Sequence, residues 1–288
     1  MLDLKGSGVA LVTPFTKDDK INYEKVEELI EYHIANNTDF IVICGTTGES
    51  ATLSEDEKKE LISFSIKKCK KRIPIICGTG SNNTKKTIEL SKYAKSQGAD
   101  GILVVTPYYN KANEKGLYEH YKTIAESVYP MPIILYNVPS RTGVDISINN
   151  IVNLSKIDNI IAIKEANPSL EKIARIIHHT RETGFKVFSG NDNLTYPILS
   201  IGGAGVISVC ANIIPDVMHK ICNYSKNSLD LFIKYLPIMD ELFTDVNPIM
   251  IKDAMNYLNY NVGDVRLPLY KTTQEKHDNL VKIIDEIL

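Results

Sequence analysis

The sequence predicts a closed (β/α)8 barrel, an α/β fold, with a helical appendage at its C-terminal end. Three observations carry that expectation. Eight short, strongly apolar and mostly β-branched runs recur before residue 210. Helix-length stretches separate them, as crossovers between parallel strands require. After residue 222 no run has strand character of comparable strength.

The runs are GVALV (8–12), FIVIC (40–44), PIIC (74–77), GILVV (101–105), PIILY (132–136), IIAIK (160–164), FKVFS (185–189) and GVISV (205–209). Apolar residues in consecutive positions fit strands covered on both faces. After the first run, Val26, Leu29, Ile30, His33 and Ile34 fall at helical spacing behind Asn22, a favourable N-cap. After the second, Ser54-Glu55-Asp56-Glu57 is a capping box leading into Leu61 and Ile62. Thr84, Ser147 and Ser169 stand at similar helix starts, and NN, GTG, QGAD and IGGAG punctuate the turns. The alternative, an open doubly wound sheet, usually carries GxGxxG after its first strand, and that motif is absent here. The expected organisation is a catalytic barrel over 1–222 and a helical region over 223–288. That region is read as helices at Leu229–Leu242, Pro248–Leu258 and Thr273–Leu288, packed on the barrel.

Composition narrows the function. The 288-residue chain has a net charge of −2, which gives no reason to expect a nucleic-acid or anionic-membrane partner. The one basic cluster, KKCKKR at 67–72, closes a helical pattern, where lysines complement the helix dipole. Five cysteines without a CxxC pair suit reduced thiols. MLDLKGSGVALVTPF does not read as a signal peptide, and no apolar stretch approaches a membrane span. A cytoplasmic enzyme is expected.

In a parallel barrel the chemistry lies where the strands end. The runs here lead into TP (13–14), GTTGES (45–50), GTGSN (78–82), TPYYN (106–110), YNVPSRTG (136–143), KEA (164–166) and SGND (189–192). Hydroxyls, glycines, tyrosines, one arginine and one lysine converge, without a metal-ligand cluster or a GxxxxGK[ST] phosphate cradle. No metal or cofactor is expected. An amine such as Lys164 at the mouth of an apolar barrel is partly desolvated, which favours its neutral, nucleophilic form and Schiff-base chemistry with a ketone. A strand-end lysine that snorkels to solvent is the plainer alternative. Tyr136 ends the neighbouring strand and could move protons, or be only a rim aromatic. Thr46 and Thr47 lie between Gly45 and Gly48, a loop whose N–H groups could face a carboxylate, or an ordinary turn. Arg141 suits bidentate carboxylate recognition, or is a surface arginine. Tyr108 and Tyr109 fit a barrel rim or an interface.

GTTGES, TPYYN, YNVPSRTG and IKEA, in this order and on these strands, resemble the pyruvate-dependent class I aldolase family. The resemblance runs along essentially the whole chain, including NPIMIK (247–252) and RLPL (266–269). It implies that Lys164 is the Schiff-base lysine that captures pyruvate, and that Tyr136, Thr46 and Tyr109 form a proton relay. In the family the last of these reaches in from a neighbouring subunit, which implies a homo-oligomer; a tetramer built as a dimer of dimers is expected, with a dimer the alternative. Thr47 looks like part of the pyruvate carboxylate site. Arg141 looks like the clamp for the carboxylate of a second substrate, L-aspartate 4-semialdehyde. Gly190 and Ile207 match positions whose backbone carbonyls line the site. N-acetylneuraminate lyase and ketodeoxygluconate-type aldolases share the lysine and the tyrosine. Arg141 and the Thr46-Thr47 pair favour the semialdehyde condensation, since the lyase resembles a Ser-Thr pair and lacks the arginine. A catalytically silent barrel that only binds small acids is the alternative of another class, and the presence of Lys164, Tyr136 and Thr46 argues against it. In lysine-inhibited members the effector pocket resembles Ser50, Ala51, Gly80, Asn82 and Tyr108 with two histidines and a glutamate. Here those three positions are Glu55, Lys58 and Lys86, so lysine feedback is expected to be weak or absent.

Overall fold

The structure, a computed structural model, describes residues 2–223 and 226–288. Among them, eight parallel strands close into a barrel in chain order: β1 (Gly6–Ala10), β2 (Phe40–Ile43), β3 (Ile75–Gly78), β4 (Gly101–Val105), β5 (Ile133–Asn137), β6 (Ile160–Glu165), β7 (Lys186–Ser189) and β8 (Gly205–Ser208). β8 pairs back with β1 and completes the ring. The closed-barrel expectation holds, and the open sheet is excluded.

Most strand limits agree with the runs to within a residue. β1 differs, starting two residues earlier than GVALV. Gly6 pairs with Gly205 there, so a GSG stretch of poor strand propensity is recruited to close the ring. A Cβ on Gly205 would sit 1.9 Å from the Gly6 carbonyl, so this approach needs glycine. At the other end the Val12 N–H leaves the ladder and donates to Asn212 Oδ1 at 3.2 Å.

Asn22, Ser54, Ser147 and Ser169 each cap a helix through the side chain, and Ser54 with Glu57 forms the reciprocal box. Thr84 stands at a helix start as expected, without being the cap. It is the first residue of the helix Thr84–Gln97, and Asn83 is the cap, its amide oxygen accepting from the Lys86 N–H. The basic cluster 67–72 is taken up in local pairs: Lys68 with Glu27, Lys71 with Asp100 and Arg72 with Glu31. All five cysteines are free and buried. Among the described residues no helix is long and apolar enough to cross a membrane.

The core has two shells. Ala10, Phe40, Val42, Ile76, Leu103, Ile134, Tyr136, Ala162, Phe188 and Ile207 fill the barrel interior. A larger cluster packs the outer strand faces against the helices. β6 shows how the inner shell is aimed. Ile133 pairs with Ile160, but Ile134 pairs with Ala162, so Ile161 has no partner and the register steps by one. Ile160 and Ile163 belong to the outer cluster, whereas Ala162 belongs to the inner one. Without that step, strict alternation from Ile160 would put Lys164 on the outer face; the bulge turns it inward.

The C-terminal region forms the helices Ser228–Glu241, Ile249–Tyr257 and Gln274–Ile287, each within a residue of its expected limits. Met250, Ile251, Ala254 and Met255 belong to the same apolar cluster as the outer strand faces. Residues 224–225, beside the expected boundary at 222/223, and residue 1 lie outside the described residues.

Candidate active site

Lys164 and Tyr136 face each other across β5 and β6 as register partners. The lysine is 5% exposed, and its Nζ stands over the Tyr136 ring, 4.6 Å from the centroid. Both open into a cavity of about 530 Å³ at the C-terminal mouth of the barrel, together with Thr47, Arg141 and Gly190. That volume suits small ligands. The next residues along, Asn137 and Glu165, alternate to the outer face, so only the tyrosine and lysine of this strand pair reach the mouth.

Gly190 follows β7. A Cβ there would come 2.7 Å from the Ala166 Cβ, so the absent side chain lets β7 close against the segment after Lys164. Asp192, two residues on, is buried and ties β7 to β8. Its Oδ2 accepts from the Val209 and Cys210 N–H groups at 3.0 and 2.9 Å. Burial pushes its carboxyl above the usual range, and the nearby charge of Lys164 opposes that rise.

Thr46 and Thr47 sit on the loop after β2, in which Cys44 and Glu49 both take left-handed backbone conformations with φ of 53°. Such strain persists only where surroundings over-determine it. Here they do. The Thr13 hydroxyl donates to the Gly48 carbonyl at 2.7 Å. Glu49 is fully buried and pairs with Lys252 Nζ at 2.6 Å. The Arg266 N–H donates to Glu49 Oε2 at 2.8 Å. Lys252 and Arg266 also stand over the Phe15 ring at 4.1 and 4.2 Å. Burial depresses the Lys252 amine, and Glu49 opposes that shift.

Asn247 joins the two sides of the mouth. Its Nδ2 donates to Thr47 Oγ1 at 3.0 Å, and its carbonyl accepts from Arg141 Nη2 at 3.0 Å. Arg141 is thereby held at the rim, on the short helix Pro139–Thr142. Neither Asn247 nor Glu49 was expected as a site residue. In the sequence NPIMIK is marked only by the family resemblance, and Glu49 only by its place in GTTGES.

Not every expected residue lines the Lys164 cavity. Thr46 lines a second cavity of about 480 Å³ that shares Val138, Arg141 and Asn247 with the first. Ile207 is wholly buried in β8 among the inner core. Tyr109 is 91% exposed, has φ of 70° and lines neither cavity. The second cavity also gathers Ser50, Ala51, Gly80, Tyr108, Glu55, Lys58 and Lys86, with Lys58 and Glu55 paired at 3.6 Å. Asn82 is not among its lining residues.

Comparison with known proteins shows what the chain as a whole resembles. The Dihydrodipicolinate synthetase family profile matches residues 3–287. A 4-hydroxy-tetrahydrodipicolinate synthase of Clostridium perfringens (strain SM101 / Type A) is 48% identical, over 99% of this chain and 97% of the relative. The crystal structure of a chloride-inhibited dihydrodipicolinate synthase from Acinetobacter baumannii complexed with pyruvate superposes with a TM-score of 0.96 at 40% identity, covering 99% of this chain and 100% of that one. The synthase from Cyanidioschyzon merolae with lysine bound superposes with a TM-score of 0.95 at 34% identity, covering 99% of each chain. With a profile match along nearly its whole length, this chain belongs to the dihydrodipicolinate synthetase family.

Proposed function

We propose that the protein carries 4-hydroxy-tetrahydrodipicolinate synthase activity, condensing pyruvate with L-aspartate 4-semialdehyde at Lys164, a step of diaminopimelate and lysine biosynthesis. The observation that carries the site assignment is the Lys164 amine, buried at the barrel mouth over Tyr136 and beside a rim arginine. The family supplies the reaction. The amine attacks the pyruvate C2 carbonyl and water leaves, giving an iminium. Loss of a C3 proton yields an enamine, with the iminium nitrogen taking up the electron pair. The enamine C3 attacks the aldehyde carbon, whose oxygen takes a proton. The amino group of the second substrate then adds to C2, the bond from C2 to Lys164 breaks, and the ring closes with the lysine free.

Tyr136 is the relay group nearest the lysine, passing protons towards Thr46 and Tyr109. Thr47, held by Asn247, fixes the pyruvate carboxylate, with the Gly190 and Ile207 backbone around it. Arg141 takes the carboxylate of the second substrate. The reaction draws on no cofactor in this reading, because the lysine iminium is itself the electron sink.

The protein acts as a cytoplasmic homotetramer in this proposal. The exposed, left-handed Tyr109 supports it, since a tyrosine so placed has a use when a second copy receives it. Sedimentation should report a species larger than one chain, and Tyr109→Phe should lose about 10²-fold in turnover. L-Lysine should inhibit weakly or not at all, because Lys86 faces the effector amine with like charge; sub-millimolar inhibition would contradict that assignment.

The deciding assay supplies pyruvate and L-aspartate 4-semialdehyde and follows product through a coupled reductase. Turnover that disappears in Lys164→Ala is expected. Cleavage of N-acetylneuraminate or a ketodeoxy sugar acid in place of this condensation would keep the lysine chemistry and discard the substrate.

A further inference from the structure

A polar cluster lies behind Lys164 and Tyr136, on the outer face of β5 and β6, and no step above uses it. Asn137 and Glu165 are fully buried there, register partners one residue beyond the reacting pair. Asn137 Nδ2 lies 2.7 and 2.9 Å from the two Glu165 carboxylate oxygens and 2.6 Å from Asp145 Oδ1. Lys172, on the helix Leu170–Thr180, reaches Asp145 Oδ1 at 2.5 Å and Glu165 Oε2 at 3.4 Å. Asn167 closes the cluster: its N–H donates to Glu165 Oε1 at 2.8 Å and its Nδ2 to Asp145 Oδ2 at 3.1 Å.

The cluster also closes a loop. Asn137 Oδ1 accepts from the Ile146 N–H at 3.1 Å while its Nδ2 donates to Asp145. Asn137 therefore holds both ends of the segment 137–146, and Arg141 rides on that segment. Two carboxylates, one ammonium and two amides thus bind the Tyr136 strand, the Lys164 strand and the Arg141 loop to each other. Burial pushes the Glu165 carboxyl up, and Lys172 opposes that rise. A plain packing role would be served more cheaply by apolar residues, since buried ion pairs contribute little net stability.

We propose that Asn137, Asp145, Glu165 and Lys172 are positioning residues that set the distance between the Schiff-base lysine and the arginine that receives the second substrate. The inference rests on the proposed function. It concerns geometry at the mouth, where a displacement near 1 Å costs about 10²-fold in rate.

The test compares Lys172→Met, Lys172→Arg and Asp145→Asn with the wild type. It measures the rate of borohydride-trapped pyruvate adduct, kcat, the KM for each substrate, and thermal melting. Folded Lys172→Met should slow both trapping and turnover by about 10- to 100-fold. Asp145→Asn, altered beside the Arg141 loop, should raise the KM for the semialdehyde while leaving the KM for pyruvate within twofold. Lys172→Arg should restore most of the rate, which a loss of bulk packing would not predict. Should Lys172→Met fail to fold, Asp145→Asn decides alone, because that side chain is 43% exposed and tolerates the change. Folded variants with kcat and both KM values within twofold of wild type, whatever their melting temperatures, overturn the inference. Wild-type protein that traps no pyruvate overturns the proposed function as well, which separates the two failures.

Discussion

The two sides of the barrel mouth are held by different means. Tyr136 and Lys164 sit on β5 and β6, where backbone pairing fixes them and neighbours along the same strands complete the setting. Thr46 and Thr47 sit on a loop whose backbone is strained at Cys44 and Glu49, and partners far along the chain hold it. Asn247 reaches Thr47 across 200 residues, and Arg266 reaches Glu49 across 217. A strand imposes its own geometry on its side chains, whereas this loop takes much of its geometry from the C-terminal region. The helical appendage thus helps to hold the threonine side, which keeps only the Thr13 bond to Gly48 and its own turn hydrogen bonds without it.

The largest effect is expected from cutting the loop anchor at Lys252. Lys252→Met leaves the Glu49 carboxylate buried without its ammonium, and such a loss costs about 3–5 kcal/mol. Denaturant unfolding should show that loss, with a raised KM for pyruvate in whatever protein remains folded. The matching change on the strand side is Phe188→Ala, which empties a fully buried ring packed edge-on to Phe40 at 5.6 Å. It should cost a similar 3–5 kcal/mol, yet leave the KM for pyruvate near wild type, because the strands keep their register. Equal effects of both changes on KM would mean that the loop has no special dependence on the C-terminal region.

Acid separates the regions more gently. His33 and His120, in helices that shell the strands, are buried, and burial lowers them to about 3 and about 4. The unfolded chain takes up these protons near pH 6.5, while the folded chain stays neutral. Stability is thus full above about pH 6.5 and is lost as pH falls towards the folded values. Each histidine should remove about 2 kcal/mol by pH 5. Unfolding curves of His120→Asn between pH 7 and 5 should be flatter than wild type by that amount; parallel curves would refute the assignment. The smallest effect belongs to Asn247→Ala. Losing its bond to Thr47 should raise the KM for pyruvate about tenfold, the equivalent of about 1.4 kcal/mol, with kcat nearly unchanged.

How much of this was legible follows the same division. The eight runs and their order could be read because a strand buried on both faces writes itself as consecutive apolar residues. Lys164 could be singled out because an amine ends such a run. The bulge at Ile161 could not, since IIAIK is apolar on both sides of it and no letter marks the register step. Nor could the cap at Asn83 be separated from Thr84, as both residues favour that position. Glu49, Asn247 and Lys252 were hidden for a different reason. Their significance lies in contacts across some two hundred residues, and no local pattern reports those. For Tyr109 the residue pattern offered only a rim or an interface, and its relay role came through the resemblance alone, because no pattern within one chain reports a contact made in another.

The central claim is that the Lys164 amine is the nucleophile. It is tested most directly by reducing the protein with borohydride in the presence of pyruvate and mapping the adduct by peptide mass. One modified lysine is expected, in the peptide that contains IKEA, and none in Lys164→Ala. An adduct on another lysine, or no adduct in active protein, would contradict it.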